Sequence, residues 1–152
     1  MKTLHLICVG KNKNRHYLEL ESDYLKRIKS FHLKIHEVKS HEENLEIEAQ
    51  EVAKKIHSLS KNKPLPFYLL TEKGASFHSK SFSLFIKKQL EIALECAFII
   101  GGASGHGKEL YKSCKGEISL STLTFPHKMA RLLFIEQIYR AETIIQGHPY
   151  NK

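Results

Sequence analysis

The sequence predicts a single-domain α/β fold built on a largely parallel sheet. Three observations carry that expectation. Short apolar runs alternate with segments of helical periodicity along the whole chain, and glycine-bearing loops follow several of those runs. A chain of 152 residues also fills one ordinary domain and is too short for two cores. No linker, repeat or low-complexity tract interrupts it, so one domain is expected over residues 1–152.

The elements read off in order. Thr3 to Val9 is a nearly continuous apolar run ending at Gly10, as in a buried strand. Tyr17, Leu20, Tyr24 and Ile28 recur at helical spacing between Asn14 and Ser30. Phe31, Leu33 and Ile35 alternate with His32, Lys34 and His36, the period of two expected of a strand. A second amphipathic helix from His41 to Ser60 is marked by Leu45, Ala49, Val52, Ile56 and Leu59. Lys61 to Pro64 is a turn, Phe67 to Leu70 a strand, and Thr71 to Gly74 a loop. Phe82, Phe85, Ile86, Leu90 and Ala93 mark a third helix. Ala97 to Ile100 is a buried strand that enters the glycine-rich loop Gly101 to Gly107. A short helix over Lys108–Cys114, a strand over Glu117–Ser121 and a helix from about Phe125 to Gln146 complete the chain. In that last helix Met129, Leu132, Leu133, Phe134, Ile135 and Ile138 cover more than one narrow stripe. Such a helix is buried on several sides, either at the centre of a monomer or against a partner subunit.

Composition narrows the functional classes. Lys and Arg number 24 against 16 Asp and Glu, a formal charge of +8 that favours polyanionic partners without naming one. No apolar run reaches the roughly 18 residues of a membrane span, and the start lacks the pattern of a signal peptide. Cys8, Cys96 and Cys114 are odd in number and scattered, which argues against a disulfide framework or a cysteine zinc site and for the reducing cytoplasm. Ten histidines raise a metal reading, but His36 to His41 is one residue too long for HExxH and no ligand set completes it, so no metal is expected. Most histidines are expected to face solvent.

The segment most suited to a ligand is Phe98 to Gly107. Glycines beyond a parallel strand let backbone approach a ligand, at the sheet edge where α/β proteins collect ligands. Its spacing matches neither the dinucleotide fingerprint nor a phosphate-binding loop with Gly-Lys-Ser/Thr. Leu70 to Gly74 and Leu120 to Phe125 follow two further strands. Three such loops would make one pocket of backbone groups, small hydroxyls and apolar walls, suited to a nucleoside-like ligand. Thr124 and Pro126 also suit a helix start. After the last helix, Gly147-His148-Pro149-Tyr150-Asn151-Lys152 sets an aromatic among hydrogen-bonding and cationic groups, as base stacking and phosphate contact require; a frayed terminus is the plain alternative.

Together these segments resemble the small SPOUT-class methyltransferases that modify pseudouridine in large-subunit ribosomal RNA, the RlmH family. The resemblance runs end to end. It is most specific in Phe98-Ile99-Ile100-Gly101-Gly102-Ala103, in Ile118 to His127, in Arg131 with Glu136 to Ala141, and in His148-Pro149-Tyr150. It implies a SPOUT fold with a C-terminal trefoil knot, a homodimer, and S-adenosyl-L-methionine (SAM) bound against Leu70, Gly102, Leu120, Ser121, Thr122, Leu123, Thr124 and Phe125. The implied substrate is a pseudouridine of 23S rRNA within the ribosome, methylated at N3 and reached by the tail beside the partner's SAM site. Two residues depart from the family pattern: Asn151 stands where a histidine is usual, and Thr71 where an aspartate is usual.

For chemistry at N3, whose proton must leave, His148, Tyr150 and Arg131 are the candidate groups. Tyr150 would position the base, His148 or solvent would accept the proton, and Arg131 with Lys152 would stabilise developing charge or hold phosphate. Two other readings stay open: a methyltransferase of the same fold acting on another RNA such as tRNA, and a non-catalytic RNA-binding assembly factor.

Overall fold

A computed structural model describes residues 1–42 and 44–152. Its ten elements run β1 (Thr3–Val9), α1 (Arg15–Arg27), β2 (His32–Val38), α2 (Leu45–Leu59), β3 (Phe67–Ser76), α3 (Ser79–Ile92), β4 (Glu95–Ile100), α4 (Lys108–Ser113), β5 (Gly116–Ser119) and α5 (His127–Ile145). All strands pair in parallel, in the order β2-β1-β4-β3-β5. This is the α/β class the sequence predicts.

Helices cover both faces of the sheet. On one, Leu4, Leu6, Cys8, Cys96, Phe98 and Ile100 pack against Ile28 after α1, Phe82 and Ile86 of α3, and Phe134, Ile135 and Ile138 of α5. On the other, Ile7, Val9, Ala97 and Ile99 meet Ala49 and Val52 of α2 and Leu110 of α4. A strand covered on both faces has no polar side, which is why β1 is buried at every position. β2, at the edge, keeps an alternating pattern. Burial pushes the Cys8 and Cys96 thiols up to about 12, so both pack as small apolar groups.

Three local expectations differ from the structure. Helix α2 begins at Leu45 rather than His41, because the Asn44 side chain accepts from the Ile47 N–H and caps it; Glu43, inside the expected helix, lies outside the described residues. The expected loop Thr71–Gly74 belongs to β3, which bulges between Leu70 and Ala75 and then pairs with β5 again. Gly74 permits this, since a Cβ there would lie 2.6 Å from the backbone of Glu117 and Ile118. Leu20, expected on the buried stripe of α1, is exposed, and Glu21 is buried in its place. His5 is buried on β1, as its place in that apolar strand implies, with Nδ1 2.9 Å from His36 Nε2, and burial holds His36 down at about 4.

Candidate functional site

The carboxyl ends of β3, β4 and β5 open into a cavity of about 670 Å³. Leu70 and Glu72 of β3, Gly101 to Ala103 and His106 after β4, Tyr111 of α4, Glu117 of β5, and Leu120, Ser121 and Leu123 to His127 surround it. Of the eight residues expected to hold a cofactor, seven line this cavity: Leu70, Gly102, Leu120, Ser121, Leu123, Thr124 and Phe125. Thr122 does not line it and is exposed.

Backbone crowding and short hydrogen bonds shape the walls. A Cβ on Gly101 would stand 2.5 Å from the Gly105 carbonyl oxygen and 3.2 Å from His106 Cε1, so the loop closes on itself only with glycine there. Gly101→Ala is expected to force the loop open and destabilise the protein by about 1–3 kcal/mol, as overpacking does, read as a lowered thermal midpoint. In the stretch after β5, Ser119 Oγ donates to the Ser121 carbonyl and Ser121 Oγ accepts from the Leu123 N–H, fixing the turn. Thr71 Oγ1 donates to Glu117 Oε1 at 2.9 Å. An aspartate at 71 would set a second carboxylate against Glu117, so threonine gives this chain a neutral donor there. His106 Nε2 lies 2.9 Å from the Leu70 carbonyl oxygen, and burial holds the imidazole below its ordinary pKa. Tyr111, Glu117 and the histidines at 106 and 127 escaped the sequence reading as wall residues. His106 lay inside the glycine loop that drew notice, whereas nothing in the pattern marked Tyr111.

Arg131 is placed differently from its expected role of offering charge to phosphate or to a transition state. It is 6% exposed, donates through Nη1 to Glu37 Oε2 at 2.6 Å and through Nη2 to Glu21 Oε1 at 2.9 Å, and adjoins buried Cys8. Its charge is already committed to two carboxylates. The Asn12 N–H joins the same network through Glu37, so the group ties α5 to the loop after β1.

The tail folds back along α5 as far as Glu136. Tyr150 stacks edge-on against Tyr139 at 4.8 Å, and its hydroxyl donates to Glu136 Oε1. Arg140 bonds that same carboxylate oxygen, lies over the Tyr150 ring, and donates to Asn151 Oδ1. Asn151 therefore has a definite partner. Burial, a hydrogen bond with Tyr24 and the Glu136 charge all raise the Tyr150 pKa, so its phenol stays protonated. His148 is exposed, anchored by its own N–H to the Thr143 carbonyl. Pro126, His127 and Ala130 at the start of α5 line the cavity, while the tail packs along the helix from Glu136 onward and lines none of it. Along the helix axis Glu136, which holds the Tyr150 hydroxyl, is about 9 Å beyond Ala130, and Thr143, which anchors His148, about 20 Å beyond it. Within one chain the candidate groups do not meet.

Among the described residues no group of three or more His, Cys, Asp or Glu side chains is arranged to hold a metal, and no helix is long and apolar enough to cross a membrane.

A parallel α/β sheet with a nucleoside-sized cavity beyond the ends of three strands defines a ligand-binding α/β domain. Comparison with known families makes the class definite: the family described as "Predicted SPOUT methyltransferase" matches residues 1–151, and the chain belongs to that family of enzymes. At the level of individual proteins it is similar to "Ribosomal RNA large subunit methyltransferase H" of Flavobacterium psychrophilum, 37% identical with 97% of this chain and 98% of the relative covered. The protein of that name from Prochlorococcus marinus is 39% identical (97% and 94% covered), and that from Bacteroides fragilis 35% (99% of each).

Proposed function

We propose that this protein transfers the methyl group of SAM to N3 of a pseudouridine in 23S rRNA within the ribosome, on the large subunit or the 70S particle. The proposed enzyme acts in the cytoplasm as a homodimer and carries a C-terminal trefoil knot. The names of the full-length relatives support the substrate class. The geometric observation that carries the dimer is that no residue of the tail lines the cavity of its own chain. An antiparallel partner would bring its tail to this chain's cavity. The flank of α5 available to it is apolar and incompletely buried, with Met129 39% exposed and Leu132 and Leu133 half-buried.

SAM, when bound, supplies an electrophilic methyl on a sulfonium. The cavity suits such a ligand, with apolar walls at Leu120, Leu123 and Phe125 and carboxylates at Glu72 and Glu117. Methylation at N3 would require the N3 proton to leave, so a group of this protein or solvent would have to take it. In this reading the protonated Tyr150 presents its ring for stacking, and exposed His148 or solvent takes the proton. Arg131 contributes by positioning the loop after β1 rather than by touching substrate.

That loop supports the RNA reading. Lys11 and Lys13 are exposed, Lys128 is half-exposed, and none is ion-paired among the described residues. A small cleft lined by Lys11, His127 and Lys128 adjoins the main cavity, sharing Ile100 and His127 with it. Changing Lys11 and Lys13 together to Gln is expected to weaken RNA binding and reduce the slope of log K against log salt by about 1–2, with SAM affinity unchanged.

The direct test supplies labelled SAM with 70S ribosomes, free subunits and tRNA. N3-methylpseudouridine in 23S rRNA is expected. Incorporation into tRNA instead would assign another RNA substrate, and absence of SAM binding at millimolar ligand would assign a non-catalytic scaffold.

A further inference from the structure

His106 sits in the loop between β4 and α4, 36 residues from its hydrogen-bond partner at the end of β3. Because a carbonyl only accepts, the proton lies on Nε2 and Nδ1 keeps a bare lone pair. That Nδ1 is buried and has no partner among the described residues. The ring stands edge-on to Tyr111, 5.9 Å between centroids, and packs over Gly101. All four residues, His106, Leu70, Tyr111 and Gly101, line the cavity. A histidine kept for packing alone ordinarily has both nitrogens satisfied; this one accepts an unpaired nitrogen while holding a single carbonyl on a cavity wall. The loop's own backbone bond, from the Gly105 N–H to the Gly102 carbonyl, closes the turn but does not reach β3. The side-chain bond that does reach it comes from His106.

We propose that His106 is a cofactor-positioning residue: through Nε2–H it holds the Leu70 carbonyl and the 101–107 loop in the geometry that receives an adenosyl ligand. This rests on the methyl-donor reading above. Burial keeps the ring neutral near pH 7, so it acts by direction and not by charge. Tyr111 braces the ring from behind, and the alternating tie from loop to strand fixes two walls of the cavity at once.

The test uses the full-length protein, with calorimetry for SAM and S-adenosylhomocysteine and with steady-state methylation. His106→Phe keeps the ring but neither hydrogen-bonding function. It is expected to weaken both ligands about tenfold and to raise KM for SAM, with kcat changed less than about twofold. His106→Gln carries an amide N–H and a carbonyl, and is expected to restore affinity to within about threefold of the original. If the Phe variant binds within twofold of the original, or Gln is no better than Phe, the proposal is overturned. So too if kcat falls while KM and affinity stay unchanged. Should the variants not fold, nitrogen NMR of the histidine-labelled original protein decides: His106 is expected as the Nε2–H tautomer, with resonances that move on saturation by S-adenosylhomocysteine. An Nδ1–H tautomer, or unmoved resonances with ligand bound, overturns it. Failure of the original protein to bind either ligand would instead strike the methyl-donor reading itself.

Discussion

Replacing Arg131 by methionine is expected to cost about 3–5 kcal/mol of stability and to lower the thermal midpoint by roughly 10 °C or more. Methionine matches the volume but leaves Glu21, with a side chain 3% exposed, as a buried charge whose remaining partner is Asn12 Nδ2 at 3.4 Å. The penalty is that of an unpaired buried carboxylate, not of a lost surface bridge. A second change, Glu21→Leu, should therefore restore most of the loss. If the double variant is no more stable than the single one, the buried pair is not the cause.

Acid should act on the same network. Burial raises the Glu37 pKa, but the Asn12 N–H and the Arg131 guanidinium more than offset it, and the net shift is downward. A depressed carboxylate contributes stability that is fully present above its unfolded pKa, near 4.5, and is lost as pH falls through the folded value. Denaturant titrations from pH 7 downward should show that loss in the original protein and a flatter profile in Arg131→Met.

The second large effect concerns activity. Removing residues 148–152 is expected to reduce methyl transfer to ribosomes by about 10²–10⁴-fold while SAM affinity stays within a few-fold. The cavity takes no residue from its own tail, whereas in the proposed dimer each tail serves the partner's cavity. Mixing the truncated protein with one disabled in the cavity, such as Gly102→Trp, should recover activity through mixed dimers that pair one intact tail with one intact cavity. Full activity of the truncated protein would rule the tail out. Lack of recovery in demonstrated mixed dimers would rule out the exchange between subunits. Tyr150→Phe separates stacking from the hydroxyl: with the phenol protonated and bonded to Glu136, losing the hydroxyl should matter far less than losing the ring.

Much of the fold was legible because burial on two faces writes itself as unbroken apolar runs, as in Thr3–Val9 and Ala97–Ile100. The cavity wall was legible for a related reason. Loops beyond parallel strands gather on one edge, so Leu70, Gly102 and Leu120 to Phe125 could be grouped before any coordinates. The misses share a cause. Periodicity put Leu20 on the helical stripe and gave no sign that the neighbouring Glu21 is buried; only the arrival of Arg131, 110 residues away, makes that burial stable.

The sequence by itself determined the alternation of strands and helices, the glycine loop, and the family to which the chain belongs. These rest on local periodicity and on ordered motifs, which are carried within short stretches of chain. The tertiary structure decided what each polar group is committed to. It turned Arg131 inward onto Glu21 and Glu37, gave Asn151 to Arg140 and Thr71 to Glu117, and left His148 and Tyr150 outside the cavity of their own chain. Hydrogen bonds and ion pairs are satisfied by whatever the fold brings near, across 11 to 110 residues in these cases, and one-dimensional spacing does not record that proximity.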